Sequence, residues 1–168
     1  IPASVTSIAK RAFQGTQLTT VTIPNPNVEI GENAFNSYVT INAAFYSAPL
    51  TYLVEGNSVT VTDCDESASG ALAIPSSYNG KPVTTIGDWA FHECSSLASV
   101  TIPDSVTTIG IWAFQGCSSL TSVTIPNSVT SIGEDAFTET KLTEVTIPNP
   151  NCVIDDNAFD SSVTITRS

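Results

Sequence analysis

Apolar residues recur along this chain with a long and regular period. Ala-Phe pairs follow one another at intervals of 22 or 23 positions within two separate series. A fixed period of this length is typical of solenoids, in which one unit cannot bury its apolar side alone and stacked units can. The phenylalanines of the two series are Phe13 and Phe35, and then Phe91, Phe114, Phe137 and Phe159.

Within one unit, residues 120–137, the apolar positions follow two different periods. Val123, Thr124 and Ile125 alternate with period two and are β-branched, which predicts a short strand with its threonine facing outward. Pro126 lacks an amide donor and ends that strand. The Ile-Gly and Ala-Phe pairs that follow predict a tight turn and then a short helical or 3₁₀ segment. The sequence therefore predicts a solenoid of mostly short parallel β-strands, joined by turns or short helical segments.

A second, longer repeat divides the chain. The phrase VTIPNPN occurs at 21–27 and again at 145–151, and residues 1–41 match residues 125–165 at 27 of 41 positions without a gap. We therefore predict three regions: 1–41 as the C-terminal part of a first repeat array, 42–85 as a junction, and 86–168 as a second array with a closing coil. Because the chain starts at Ile1 inside such an array, we expect it to be a piece of a longer protein.

The junction contains a hairpin signal. Two β-rich runs between Tyr52 and Thr62 flank the turn residues Gly56 and Asn57. A solenoid needs its apolar end covered, so a hairpin at this point predicts a cap or junction. A flexible hinge is the alternative, although the stretch is more apolar than a typical linker.

The repeat resembles that of the BspA-like bacterial surface proteins, whose pattern is close to LxxVxIPxxVxxIGxxAFxxCxxL. The resemblance covers residues 1–41 and about 71–165, and it implies a leucine-rich-repeat solenoid. It also implies a bacterial cell-surface or secreted location and a role in binding proteins. The residues that carry it in one unit are Leu97, Val100, Ile102, Pro103, Val106, Ile109, Gly110, Ala113, Phe114, Cys117 and Leu120.

The net negative charge of the chain argues against two classes of partner. The 168 residues include 16 Asp and Glu against 5 Lys and Arg, a formal net charge of -11. Such a surface repels phosphate backbones and anionic lipids, which argues against nucleic acid and electrostatic membrane docking. No apolar run approaches the roughly 18 to 20 residues of a membrane span, and no basic segment followed by an apolar one marks a signal peptide.

The four cysteines allow two interpretations. Cys94 and Cys117 occupy the same repeat position, so stacked coils place them near the ~4.8 Å spacing of neighbouring strands, within reach of a disulfide. Parallel Cβ directions disfavour that bond, and a ladder of small buried thiols is the preferred interpretation. Cys64 and Cys152 complete the set. Zinc is disfavoured because the chain has no CxxC pair and a single histidine.

No residue pattern in the sequence predicts a catalytic site or a metal site. His92 lies two positions before Cys94, but Gln115 and Thr138 take its place in the following units, so we predict a variable outward position. No second histidine is present to activate a serine. The acidic group at 63–66, and a second one at 155–160, lack the spacing of a calcium loop and are predicted to be solvated turns. We predict no catalytic residue, no metal and no cofactor.

Two sets of residues are candidates for partner binding. Trp89 and Trp112 stand two positions before the repeat phenylalanine, where the other units carry polar residues, so we predict a stacked aromatic pair at the surface. The alternative is that both pack beneath a loop or the hairpin. Thr101, Thr124 and Thr146 take the outward middle position of their strands and are predicted to face one shallow surface. The polar residues equivalent to the tryptophans are Arg11, Asn33, Asp135 and Asn157.

The resemblance implies a non-enzymatic cell-surface or secreted module that binds a protein or glycan of unknown identity, and nothing in the composition contradicts it. The alternative function is structural: a spacer or self-assembling fibre unit, in which modules of 124 residues join end to end. The duplicated closing phrase, 124 positions apart, motivates that alternative.

Overall fold

Short β-strands joined by turns make up the regular structure of this protein. The computed structural model describes residue 5 and residues 7–23, 29–30, 32–37, 39–43 and 50–167. Over these residues every regular element is a strand, so none is a helix long and apolar enough to cross a membrane. The chain divides into two compact units, Ile1–Ala48 and Pro49–Ser168.

Among its described residues, the first unit contains two pairs of parallel strands. Strand β1 (Ser7–Ile8) pairs with β3 (Glu29–Ile30), and β2 (Thr20–Ile23) pairs with β4 (Thr40–Ala43). Phe13 stacks on Phe35 with ring centroids 5.1 Å apart. Two neighbouring coils of a solenoid produce this arrangement. Residues 24–27, in the first copy of VTIPNPN, lie outside the described residues.

The second unit carries twelve strands among its described residues, in two sheets that run along the solenoid. One sheet, here the Ile-Gly sheet, has the order β15-β13-β11-β9-β6-β5, with β8 against β9. The other, here the Val-Thr sheet, consists of β12-β10-β7 and a separate pair, β14-β16. The strands are β5 (Leu50–Glu55), β6 (Ser58–Cys64), β7 (Gly70–Ala73), β8 (Ser77–Tyr78), β9 (Lys81–Ile86), β10 (Leu97–Thr101), β11 (Thr108–Ile109), β12 (Ser122–Thr124), β13 (Ser131–Ile132), β14 (Glu144–Thr146), β15 (Val153–Ile154) and β16 (Thr164–Thr166).

The repeat phenylalanines form the centre of the core, as predicted. Phe91, Phe114 and Phe137 are fully buried, and Phe159 closes the series at 8% exposure. Successive rings stack almost parallel, with centroids 4.6, 4.9 and 5.0 Å apart. The spacing of 22 or 23 residues in the sequence therefore equals one coil of the solenoid.

The Ala-Phe segments are turns, so of the two predicted alternatives the helical one is not formed. The amide of Phe91 donates to the carbonyl of Ala113 at 2.7 Å, and that of Phe114 donates to Ala136 at the same distance. These bonds join one coil to the next, whereas a helix would direct them four residues back along the chain. A left-handed residue two positions before each phenylalanine also breaks helical geometry.

The Ile-Gly sheet was not predicted, because its short strands were interpreted as turns. Ile109 pairs with Ile86 on one side and with Ile132 on the other. Glycine follows each of these isoleucines because the coils approach closely there. A Cβ at Gly110 would lie 2.6 Å from the amide nitrogen of Asp88, well inside van der Waals contact.

The predicted hairpin is present. Strands β5 and β6 are antiparallel around Gly56, and β6 pairs in parallel with β9. The hairpin thus extends the Ile-Gly sheet of the second unit at its first coil, as a cap does. Residues 44–49 of the predicted junction lie outside the described residues, and the predicted division at 41 and 85 stays a prediction.

Candidate functional site

The two tryptophans lie side by side at the surface of the second unit. Their ring centroids are 4.2 Å apart and the ring planes are tilted by 40°. Trp89 is 45% exposed and Trp112 is partly exposed, so neither indole is fully buried. The His92 ring meets Trp89 edge-on at 4.8 Å, and the indole nitrogen of Trp112 donates to Asp135 Oδ2 at 3.3 Å. We call Trp89, Trp112, His92 and Asp135 the aromatic patch.

Hydrogen bonds between coils hold the backbone of the patch. The amide of Trp89 donates to the carbonyl of Ile111 at 3.0 Å, and the amide of Trp112 donates to that of Glu134 at 2.9 Å. Asp88 Oδ1 accepts a further bond from the amide of Ile111 at 2.8 Å. The tryptophans are therefore fixed one coil apart, which explains why a separation of 23 residues produces a stacked pair.

Both tryptophans have left-handed backbone conformations, with φ of 63° at Trp89 and 53° at Trp112. Asparagine and aspartate tolerate this region, whereas a bulky aromatic residue there is an outlier. The turn alone would favour a small polar residue at these two positions. The same position is left-handed in the other units, at Arg11, Asn33, Asp135 and Asn157.

The predicted row of threonines is only partly continuous. Thr101 and Thr124 pair in register on neighbouring strands β10 and β12, and both are exposed. Thr146 is also exposed, but its strand β14 pairs with β16, where Thr146 lies opposite Thr166. Two threonines aligned on neighbouring strands, and a third on a separate pair of strands, therefore replace the predicted continuous row.

A groove separates β12 from β14 at this break. Its volume is about 400 Å³. Sequence reasoning missed the groove, although one signal was available: six positions separate Phe114 from Leu120, but only five separate Phe137 from Leu142. The residues that line it are Thr121, Ser122, Val123, Thr124, Ile125, Glu144, Val145, Thr146 and Pro148.

The acidic turn at 63–66 makes internal contacts. Asp65 Oδ1 accepts hydrogen bonds from the amide of Ser67 at 2.8 Å and from its hydroxyl at 2.6 Å. The hydroxyl bond, and then the amide bond, lower the pKa of Asp65 below its ordinary value. Over the described residues, no group of three or more His, Cys, Asp and Glu side chains is placed to hold a metal ion.

The four cysteines are buried free thiols, so the burial predicted for Cys94 and Cys117 is confirmed. Burial raises the pKa of Cys117 to about 12. Cys94 Sγ donates to the backbone carbonyl of Cys64 at 3.6 Å, a contact that the repeat pattern did not suggest. The interaction between the two thiols lowers the pKa of Cys94 and raises that of Cys64, and burial adds to the rise at Cys64.

Parallel coils, a stacked phenylalanine core and repeat positions that display side chains outward define a solenoid of the leucine-rich-repeat class. Six copies of the BspA type leucine rich repeat region match this chain, over residues 1–57 and 41–166. The chain therefore belongs to the BspA-type leucine-rich-repeat family. No protein of curated function matches it in sequence.

Solved bacterial structures share the fold. The T. pallidum leucine-rich-repeat protein is 27% identical with a TM-score of 0.64, over 73% of this chain and 63% of that protein. A leucine-rich cell surface protein from Faecalibacterium prausnitzii is 31% identical with a TM-score of 0.60, over 96% of this chain and 44% of that protein. A leucine-rich-repeat protein from Bacteroides capillosus is 36% identical with a TM-score of 0.59, over 70% and 94%. The chain thus spans less than two thirds of the first two proteins.

Proposed function

We propose that this chain is a non-enzymatic binding module of a cell-surface or secreted bacterial protein, and that its aromatic patch contacts a protein or glycan partner. Membership of the BspA-type family and the likeness to a cell surface protein of F. prausnitzii support the location. Leucine-rich repeats generally serve as scaffolds that present an extended surface, which supports a binding role over an enzymatic one.

The observation that carries this proposal is the placement of two tryptophans in left-handed turn positions. An unfavourable backbone conformation costs of order 1 kcal/mol or more and persists where the side chain has another use. Trp89 leaves 45% of its surface in water, so burial in the core is not that use. Neighbouring, rigid, partly exposed indoles are typical of contact surfaces, because they offer apolar area and a polar N–H at little entropic cost.

The exposed threonines offer a second candidate surface for contact. Thr101 and Thr124 stand in register, and Thr146 follows across the groove, so hydroxyl groups line one side of the solenoid. Hydroxyls of this kind give hydrogen bonds to an extended partner. We assign them a secondary role, because a polar outward face is also what solubility requires.

The test replaces each tryptophan by the residue that other units carry. A Trp89→Asn and Trp112→Asn double variant keeps the turn, since asparagine suits a left-handed position. Binding to an array of glycans and extracellular-matrix proteins is compared with that of the unchanged chain. We expect the double variant to lose at least tenfold in affinity for any partner found. Retained affinity in the variant would contradict the role of the patch.

The matched control is Ser118→Ala, at an exposed turn position that belongs neither to the aromatic patch nor to the row of threonines. Affinity within about twofold of the unchanged chain is expected for it. Because the chain contains no other tryptophan, its indole fluorescence reports the patch directly. Strong protection of that fluorescence from acrylamide in the absence of a partner would also contradict the proposal.

A second candidate function is assembly of the chain end to end. The last coil exposes two apolar side chains, Val153 at 63% and Ile165 at 40%, which a second copy would cover. Light scattering at increasing concentration tests this candidate. A Val153→Asp variant should remain monomeric where the unchanged chain associates, and a monomer at every concentration would exclude it.

A further inference from the structure

Two buried cysteines meet where the hairpin contacts the first coil of the second unit. Cys64 is the last residue of β6, and Cys94 lies in the first Ala-Phe turn of the array. The Sγ atom of Cys94 is 3.6 Å from the carbonyl oxygen of Cys64 and 3.8 Å from that of Asp65. Cys64 is 3% exposed and Cys94 is fully buried. Cys64 Sγ lies 3.7 Å from the same Asp65 carbonyl oxygen, so both sulfur atoms contact one backbone oxygen inside the protein.

The third cysteine of this region is engaged differently. Cys117 donates to the carbonyl of Phe91 at 3.1 Å, so its thiol is directed at the backbone of the preceding coil. Cys94 and Cys117 also occupy one repeat position, which gives them parallel Cβ directions. Cys64 lies in the hairpin and outside the repeat, so that restriction does not apply to its approach to Cys94.

We propose that Cys64 and Cys94 form a disulfide bond that fastens the hairpin to the first coil of the array. The bond involves no residue of the aromatic patch and does not depend on the proposed binding function. Its consequence is mechanical: the cap of the solenoid becomes covalently attached to the coil that it covers.

The bond forms by thiol–disulfide exchange with a small disulfide reagent, oxidised glutathione. A thiolate at Cys94 attacks one sulfur of the reagent, whose S–S bond breaks and releases one thiol. The sulfur of Cys64, losing its proton, then attacks Cys94 Sγ and releases the second thiol. Two protein thiols are oxidised and one reagent disulfide is reduced to two thiols, with two electrons transferred.

Burial determines when the exchange takes place. Because both side chains are shielded in the folded protein, the reagent reaches them before the hairpin has packed. The bond then restricts the unfolded chain, since it closes a loop between positions 64 and 94. A loop of this length stabilises a folded domain by an amount that corresponds to a rise in melting temperature of about 10 °C.

The experiment refolds the whole chain with oxidised glutathione and, in parallel, with dithiothreitol. Of the four cysteines, we expect two to remain titratable after oxidation. Trypsin cannot locate the bond, because Lys81 precedes Pro82 and the next basic residue is Lys141, which leaves three cysteines on one peptide. Pepsin at acid pH separates them and prevents exchange. A peptide that joins Cys64 to Cys94 is the expected product.

Single variants distinguish this pairing from the others. Cys117→Ala and Cys152→Ala should each keep the linked peptide and the gain of about 10 °C on oxidation. Cys64→Ala and Cys94→Ala should each lose both. Oxidised and reduced samples of the same variant are compared, so any cost of the substitution itself cancels. Four titratable thiols after refolding in oxidised glutathione, or a peptide that joins Cys94 to Cys117, would overturn the proposal.

Discussion

The two sheets of the second unit are built from the same coils, yet one is continuous and the other is broken. The Ile-Gly sheet runs from β5 through β6, β9, β11 and β13 to β15. The Val-Thr sheet ends at β12 and starts again as the separate pair β14-β16. The difference lies in the length of the connection that leads into each strand.

The break follows from one missing residue. In the regular coil, the amide of Thr121 donates to the carbonyl of Ala98 at 3.0 Å, just ahead of β12. In the shortened coil, the amide of Lys141 donates to Leu120 at 2.9 Å instead, and β14 does not pair with β12. Beyond β14 the spacing is regular again, and Ile154 pairs with Ile132. The shortened connection thus coincides with the break in the Val-Thr sheet, while the Ile-Gly sheet stays continuous.

The largest expected effect comes from removing support that both sheets share. Phe114 is stacked between Phe91 and Phe137 and is fully buried. Phe114→Ala should lower the free energy of unfolding by about 3 to 5 kcal/mol. Urea titration measures this loss, and amide exchange should become faster in both sheets. A variant as stable as the unchanged chain would show that the assigned repeat register is wrong.

Gly110→Ala should damage the continuous sheet alone. The new Cβ would lie 2.6 Å from the amide nitrogen of Asp88 and 2.7 Å from the carbonyl carbon of Gly87, and backbone cannot move aside cheaply. We expect a loss of about 1 to 3 kcal/mol in the free energy of unfolding. Amide exchange should rise at Ile109 and its neighbours and stay unchanged in β10 and β12. Ser118→Ala, at an exposed turn, is the matched control.

Restoring the missing residue should close the broken sheet. A serine inserted between Thr140 and Lys141 gives the connection from Phe137 to Leu142 the regular six positions. New backbone bonds between β12 and β14 should slow amide exchange at Val145 and raise the free energy of unfolding by about 1 kcal/mol. Unchanged exchange at that residue would mean that the groove does not depend on the length of this connection.

The smallest effect at neutral pH is expected at the hairpin end of the continuous sheet. The hydroxyl of Tyr52, whose ring stacks on Tyr78 at 4.1 Å, is buried and has no hydrogen-bond partner among the described residues. Burial, and then the neighbouring Tyr78, raise the pKa of Tyr52 to about 12 from 10.0. Tyr52→Phe should change the free energy of unfolding by less than about 0.5 kcal/mol at pH 7.

Alkaline pH distinguishes Tyr52 from its replacement. Between pH 10 and 12 the unfolded chain loses the phenolic proton while the folded chain keeps it, so the unchanged protein loses stability as the pH rises through this window. Tyr52→Phe should lose less stability over the same window, as urea titrations at pH 8 and pH 11 would measure. Equal losses in both proteins would mean that this hydroxyl is not shielded from water.

Sequence reasoning predicted the features that recur in every repeat, and it missed those that arise at a single place in the chain. The phenylalanine core and the stacked tryptophans follow from a constant period, and the hairpin follows from Gly56 and Asn57 between β-rich runs. Two-residue strands such as Ser131–Ile132 are too short to show alternation, so the Ile-Gly sheet was missed. Asn and Asp at the equivalent positions of other units were a signal of the left-handed backbone at Trp89. The hydrophobic period alone carries no information on φ. Cys64 lies outside the repeat, and only tertiary contact brings it to Cys94.

The stacking distance of the phenylalanine rings has a mechanical consequence. Each coil of 23 residues advances the solenoid by only 4.6 to 5.0 Å. The same residues, drawn out as an extended chain, span about 75 to 80 Å. A coil that peels away under tension therefore lengthens roughly fifteenfold. Under tension, the coils of the second unit would therefore extend one at a time.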